Sequence, residues 1–508
     1  MHLLSSTTVF SFYTMLSRVL GYFRDILIAI FLGTSIYADA FFVAFRLPNT
    51  FRRLFAEGTF NAAFIPSYTA EKIKGKLQGK KFADEVLTLL TFGLLIIVLL
   101  VEIFTPYIVY LIAPGFVENN TKFNLAVDLT RITFPFLAFV SLSSFFAGIL
   151  NSENKFAAAA AAPIFLNLIL IFSLIVSYYL KLDYALNLSY GVSISGLLQL
   201  LFLIFFTTKY YKPSIIFKNK IKKKVKFFLK KLLPSVFSSG IVQISILVGT
   251  IIASFQAGAV SYLYYADRIY QINLAIAGIA VSTVSLPVLS KLIKNKKIYQ
   301  ANKIQNKSIE LSLLLSLPAS FALIIGSEVI VNALFGYGSF TEDDIKQTSL
   351  ALQYFGYGIP AFAILKIFAN FFFARDNTIT PFKVSSMVVF INVCISILFF
   401  KEIGFIVIPI ATTLSTWIGL FYYLYLLLKY RYLQVESKLY FNLVKIALST
   451  LIISYIFQGG INYFEKNLIY SSDYKILYLL FIVIFVALLY FLICYFLKIL
   501  NLRSFKTN

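Results

Sequence analysis

Between Ser17 and Glu57 the chain reads SRVLGYFRDILIAIFLGTSIYADAFFVAFRLPNTFRRLFAE, which sets Arg18, Arg24, Asp25, Asp39, Arg46, Arg52, Arg53 and Glu57 into two otherwise apolar stretches. A charge at the centre of a membrane helix costs roughly 2.5 to 3.5 kcal/mol, so these groups must face water or one another. Five arginines stand against three acids there, an excess of positive charge that suits an anion. Guanidinium stays ionised and grips phosphate in a fixed two-pronged geometry, which fits a pyrophosphate better than an ammonium does.

Helical spacing groups the charges. Ser17, Gly21 and Arg24 share one face with Arg18 and Asp25, and Gly21 leaves room between them. Asp39, Arg46, Arg53 and Glu57 recur at intervals of seven and four, with Asn49 and Thr50 between them and phenylalanines in the other directions. Two polar faces lining one cavity are therefore expected. The competing reading is that Arg18 with Asp25, and Arg53 with Glu57, are ion pairs that tie helices together without a ligand. Arg131 and Lys366 are read as packing or gating residues.

These segments belong to a chain of 508 residues, 59% hydrophobic and only 13% charged, with mean hydropathy +0.84, far outside soluble usage. The formal charge of +23 is no sign of nucleic-acid binding, because about 30 of the 45 Lys and Arg fall in one alternating set of loops. That set is cytoplasmic, and no soluble domain is long enough to present a basic face to nucleic acid. Cys394 and Cys494 lie in apolar spans and His2 is the only histidine, so no disulfide framework, zinc or haem site is expected. Gly75 to Lys81 falls short of a phosphate-binding loop, and no catalytic constellation is present. The reading is a transporter with no cofactor, driven by the membrane potential, by Na+ or H+, or by consumption of its cargo. The first apolar run continues through Arg18 and Arg24, so a retained helix rather than a signal peptide is expected.

Hydropathy and loop breaks give an all-α polytopic membrane protein with fourteen transmembrane helices, near 5–31, 37–68, 84–113, 122–150, 156–180, 187–208, 232–254, 260–290, 308–334, 347–374, 383–401, 405–428, 440–459 and 475–499, with both termini cytoplasmic. Pro48 predicts a kink, a tilt or a cytoplasmic extension in the second span. Gly33 and Tyr37-Ala38-Asp39 match Gly258 and Tyr265-Ala266-Asp267, while Asn151 and Asn167 match Asp376 and Asn392 at an offset of 225. The shared offset implies two pseudo-symmetric six-helix lobes, residues 1–208 and 232–430, with substrate between them. A basic cytoplasmic connector, 209–231, reads either as an amphipathic helix on the anionic inner leaflet or as a solvated loop. Residues 431–508 hold two further helices outside the repeat.

The run DAFFVAFRLPNTFRRLFAEGTFNAAFIP at Asp39 to Pro66, with SRVLGYFRD before it and YYADRIYQ at Tyr264 to Gln271, closely resembles the MurJ (MviN) family of bacterial lipid II flippases in the multidrug/oligosaccharidyl-lipid/polysaccharide exporter superfamily. The resemblance implies transport of undecaprenyl-pyrophosphate-linked disaccharide-pentapeptide across the inner membrane by alternating access, for peptidoglycan synthesis. It makes Arg18, Arg24, Arg52 and Arg268 the essential arginines and Asp25 and Asp39 the matching acids, and the helical spacing adds Asn49, Arg53 and Glu57 to the expected substrate site. It gives 431–508 the role of a groove for the polyprenyl tail. Some members use a sodium site, for which Gln243, Asp376 and Asn392 are the candidates here. The expected partners are lipid II, membrane lipids and peptidoglycan-synthesis proteins, with the chain acting as a monomer. Alternatives are a flippase for another polyprenyl-pyrophosphate oligosaccharide, of O-antigen or teichoic type, and a cation/drug antiporter, which would need an acidic cavity.

Overall fold

The computed structural model describes residues 2–56, 59–215 and 223–499, and every regular element among them is helical. Two compact units emerge, Met1–Ser261 and Tyr262–Asn508.

The first unit holds α1 (His2–Leu32), α2 (Ile36–Ala56), α3 (Thr59–Ile73), α4 (Lys76–Ile112), α5 (Asn120–Thr133), α6 (Phe136–Ser152), α7 (Phe156–Ala161), α8 (Ile164–Leu180), α9 (Tyr184–Thr207) and α10 (Lys223–Ala253). Local chemistry sets the breaks. Gly33 turns the chain between α1 and α2 at φ 58°, and Pro106 kinks α4, leaving Phe104 non-helical at φ −99°, ψ 16°. Phe134-Pro135 interrupts the path from α5 to α6, and the Asn119 and Asp183 side chains cap α5 and α9.

The second unit begins within α11 (Ala259–Leu274) and continues through a π-helical stretch, Ala275–Ala280, into α12 (Val281–Lys294), then α13 (Ile298–Phe335), α14 (Glu342–Gly356), α15 (Ile359–Phe373), α16 (Ile379–Ile403), α17 (Val407–Lys429), α18 (Ser437–Tyr463) and α19 (Lys475–Phe496). The acidic segment Thr341 to Asp344, which falls between the spans expected at 308–334 and 347–374, is the capping box of α14: the Thr341 N–H donates to Asp344 Oδ2 at 2.8 Å and the Asp344 N–H to Thr341 Oγ1 at 3.3 Å.

Nine helical segments among the described residues are long and apolar enough to cross a membrane, and ten if α14 and α15, bent by 42°, count as one. Helices α1 and α2 are not among them, because hydroxyls and charges interrupt their apolar runs. The expected second span arrives as α2 and α3 on either side of 57–58.

The repeat is visible in the backbone: Gly33 before α2 and Gly258 before α11 both take positive φ, 58° and 74°. Burial does not follow the matched tripeptides. Tyr37 is exposed and Asp39 fully buried, whereas Tyr265 is fully buried and Asp267 half-buried. The three-residue insertion that aligns the letters changes which helix face they occupy.

Of the connector, 216–222 lie outside the described residues, and the rest packs in part against protein. Its last residues form the first turns of α10, whose apolar face is packed into protein rather than laid on lipid: Val225 and Phe228 are buried, and Phe228 meets Phe60, Phe64 and Phe82 edge-on. Glu71 at the end of α3 bonds to Lys224 and, at 2.7 Å, to Lys74. At the connector's start the Tyr211 hydroxyl and the Ser214 N–H both donate to buried Asp84 Oδ1, at 2.6 and 3.1 Å. Thus α10 packs with α3 and α4, although its sequence opens the second copy of the repeat.

In the second unit the pair α18–α19 is fastened near both ends. Arg375 donates to the carbonyls of Phe371 and Tyr432 and covers the Tyr432 ring, Asn306 donates to the Gln434 carbonyl, and Asn442 donates to Glu310. At the other end buried Lys475 donates to the Gly336 and Tyr470 carbonyls and Asn332 Oδ1, at 2.5, 2.7 and 3.1 Å.

The hydrogen bond from Lys224, followed by that from Lys74, holds the Glu71 carboxyl below its ordinary value of 4.5. A carboxyl depressed in the folded state contributes stability above that ordinary value and loses it as pH falls through the lowered one. A spin label at exposed position 227 should therefore keep constant mobility between about pH 6 and 8 and loosen only in acid beyond the usual carboxylate range. Glu71→Gln should give the loosened spectrum at neutral pH. A transition centred near neutrality would refute the assignment.

Candidate functional site

The charged residues of α1 and α2 do not form one pool. Arg24 and Asp25 are adjacent and only 5% and 2% exposed; Arg24 Nε and Nη2 donate to Asp25 Oδ1 at 3.0 and 2.6 Å. Arg24 Nη1 donates to Asn167 Oδ1 on α8 at 2.8 Å, and Asn167 Nδ2 donates onward to the Ser17 carbonyl at 2.8 Å. The shared face of Ser17, Gly21 and Arg24 is thus real and is closed by an asparagine: a Cβ at Gly21 would stand 3.4 Å from Asn167 Oδ1. Three of the five guanidinium N–H groups of Arg24 are committed, which leaves two for an anion. Arg24, rather than Arg18, grips Asp25, and the Arg18 side chain is exposed.

On α2, Arg52 Nε donates to Asn49 Oδ1 at 2.9 Å, one turn back, which fixes the direction of its guanidinium. Arg46 and Asn49 are half-buried. The Arg53 side chain and all of Glu57 lie outside the described residues.

Asp39 is fully buried, and its partners come from three places. Lys122 Nζ on α5 donates to Oδ2 at 2.6 Å, as does the Gly258 N–H at 3.0 Å, while the Ser261 N–H and Oγ–H donate to Oδ1 at 3.0 and 2.6 Å. Gly258 and Ser261 frame the first turn of α11, so Asp39 supplies that helix with the N-terminal acceptor its own sequence lacks. Lys122 also sits 4.1 Å over the Phe116 ring. The same turn is held from α10's end by the Gly115 N–H donating to Ser254 Oγ at 3.0 Å, and a Cβ on Gly115 would come within 2.5 Å of Phe255 backbone. Asp39 therefore belongs to a latch joining α2, α5 and the α10–α11 turn. Sequence reading missed Lys122 because it stands at a helix start and looks like a loop lysine.

In the second unit Arg268 Nη2 donates to the Tyr264 hydroxyl at 2.8 Å and lies over its ring at 4.6 Å, a flat platform that orients the guanidinium. Asp267 accepts from Gln271. Of the sodium candidates, the two in the second unit, Asp376 and Asn392, are not gathered. Gln243 is in the first unit, Asp376 sits in the turn after α15, and Asn392, about 20 Å further along α16 by helical rise, donates to Thr412 Oγ1 at 2.9 Å. Among the described residues no group of three or more His, Cys, Asp or Glu side chains could hold a metal ion.

Structures of membrane transporters share this architecture. A multidrug resistance MATE family transporter of the MOP superfamily, in an inward-facing conformation, superposes with TM-score 0.67 at 15% identity over 84% of this chain and 98% of its own, a likeness of fold alone. A structure described as lipid II flippase MurJ, inward closed conformation, superposes with TM-score 0.82 at 28% identity over 97% of this chain and 99% of that one. The family described as lipid II flippase MurJ matches residues 28–479. Similar curated proteins are the probable lipid II flippase MurJ of Rickettsia prowazekii, 39% identical over 83% of each chain, and that of Aquifex aeolicus, 32% identical over 92% of this chain and 90% of the relative. The chain belongs to the lipid II flippase MurJ family.

Removing one member of a buried ion pair strands the other, at about 3 to 5 kcal/mol. Asp39→Ala should accordingly lower thermal stability in detergent by at least about that amount, and adding Lys122→Met should recover the part due to the stranded ammonium while the Gly258 and Ser261 donors stay unmatched. A neutral Asp39→Ala variant would show that the pair contributes nothing to the fold.

Proposed function

We propose that this chain moves lipid II from the cytoplasmic to the periplasmic leaflet of a bacterial inner membrane by alternating access, without covalent chemistry. The observation that carries the reading is the set of guanidinium groups held in fixed directions on otherwise apolar helices, in a chain of the MurJ family. Its finer parts are proposals too: fourteen spans, two six-helix lobes with α18–α19 appended, both termini cytoplasmic, monomeric action, and drive from the membrane potential or a Na+ or H+ gradient.

Arg24 is braced by Asp25 and Asn167 and keeps two N–H donors for a phosphate oxygen; Arg52 is braced by Asn49. Exposed Arg18 is the third guanidinium of the first unit, and Arg268 on its tyrosine platform is the second unit's candidate for the same anion. Asp25 lowers the net charge beside Arg24, so the grip is tempered. That matters for a carrier, since an anion held equally well in every state would drive no change of state. The Asp39 latch is the natural element to break and reform, because its four donors are all polar contacts that water can replace once the turn opens.

The test is rescue of a bacterium depleted of its own lipid II flippase, with periplasmic lipid II assayed at matched membrane levels. The parent should rescue, and Arg18→Ala and Arg52→Ala should fail while folding normally. A charge-assisted hydrogen bond contributes about 1.5 to 3 kcal/mol, so each should weaken substrate binding roughly tenfold to a hundredfold. Arg24→Lys should fail as well, since an ammonium cannot reproduce the forked bracing. Rescue by the arginine variants would sink the site; failure of a well-inserted parent would favour another polyprenyl-pyrophosphate oligosaccharide as cargo.

A further inference from the structure

Between α3, α4 and the first turns of α10 lies an open apolar cavity of about 140 Å3, lined by Phe60, Leu90, Gly93, Ile97, Val225 and Leu229 among others. The α4 residues that line it, Val86 to Ile97, recur on one helix face over about 16 Å, so the cavity is a groove along the helix rather than a hole. Its floor opens outward: a Cβ built on Gly93 meets no atom within 4 Å, and Ile96, Ile97 and Leu100 beside it are exposed. An apolar groove of this kind, on a helix that otherwise faces lipid, holds hydrocarbon rather than water.

The charges around the groove are of both signs, and most have contacts of their own, half-buried Glu85 beside Val86 among them. Lys224 is engaged by Glu71, and Asp84 by Tyr211 and Ser214. Lys226 and Lys230, which flank Leu229 on α10, are exposed, and neither forms an ion pair among the described residues. Lys226 follows Val225 and Lys230 follows Leu229, so two exposed ammonium groups stand next to lining residues on α10. That is the shape of an amphiphile whose head is anionic and whose tail lies along α4.

We infer that an anionic phospholipid of the cytoplasmic leaflet occupies this groove, with its phosphate at Lys226 and Lys230 and one acyl chain against Leu90, Gly93 and Ile97. The site would fasten α10 to α3 and α4 beside the contacts that Phe228 makes in the core and Lys224 makes with Glu71. It is independent of which cargo the protein carries.

The full chain, reconstituted in nanodiscs of equal phosphatidylglycerol and phosphatidylcholine and released for native mass spectrometry, reports which lipid it retains. The parent should retain phosphatidylglycerol over phosphatidylcholine by roughly thirtyfold, the size expected of two lysines at an interface at about 1 kcal/mol each. Lys226→Gln with Lys230→Gln, both on exposed side chains, should abolish the preference while lipid is still retained. Gly93→Phe, which fills the groove from its open side, should reduce retention of both lipids, with thermal stability as the check on folding. Equal retention of the two lipids by the parent, or unchanged phosphatidylglycerol retention by folded Gly93→Phe, would overturn the assignment.

Discussion

A charge in an apolar helix must be matched by partners or reached by water, and that constraint governs the first unit more than any other. Asp39 is the extreme case, with no exposed surface and four donors around two oxygens. Because those donors come from α5 and from the turn that starts α11, satisfying one carboxylate fixes three segments of chain at once. Hydrophobic attraction between helices is weak in lipid, so polar contacts and close packing carry a larger share of the specificity there than in water.

The same economy appears wherever the helices end. Lys475 satisfies carbonyls at the end of α13, Arg375 and Asn306 do so for the α17–α18 linker, and Asp84 holds the start of the connector. Each places a polar group of one segment on an unsatisfied backbone or side-chain group of another, which is what helix termini near a membrane require. One result is that α18 and α19, outside the repeat, are tied to α13 rather than hanging on a loose linker.

For an anion carrier the bracing of the arginines matters as much as their number. A free guanidinium on a flexible stem would lose entropy on every binding event, whereas Arg24 held by Asp25 and Asn167, Arg52 by Asn49, and Arg268 by Tyr264 are already directed. In the proposed role the acid next to Arg24 would moderate the field at that guanidinium, favouring release of an anion as well as its capture.

Composition and periodicity were sufficient for an all-helical membrane protein, because burial in lipid leaves helices as the only way for such apolar segments to satisfy their backbones. The glycine repeat was also legible, since a positive φ has few residue types to choose from, and Gly33 and Gly258 both use it. The special status of Arg24, Arg52, Arg268 and Asp39 followed from the cost of charge in apolar surroundings. Partnership did not follow. Spacing suggested Arg18 for Asp25 where the fold uses Arg24, Lys122 looked like a loop lysine yet neutralises an acid 83 residues away, and the matched tyrosine-alanine-aspartate segments differ in burial. The connector's amphipathic pattern was visible, but whether its apolar face met lipid or protein depended on Phe60, Phe64 and Phe82 arriving from elsewhere in the chain. Local sequence sets which groups must be satisfied; only the packing of distant helices decides which groups satisfy them.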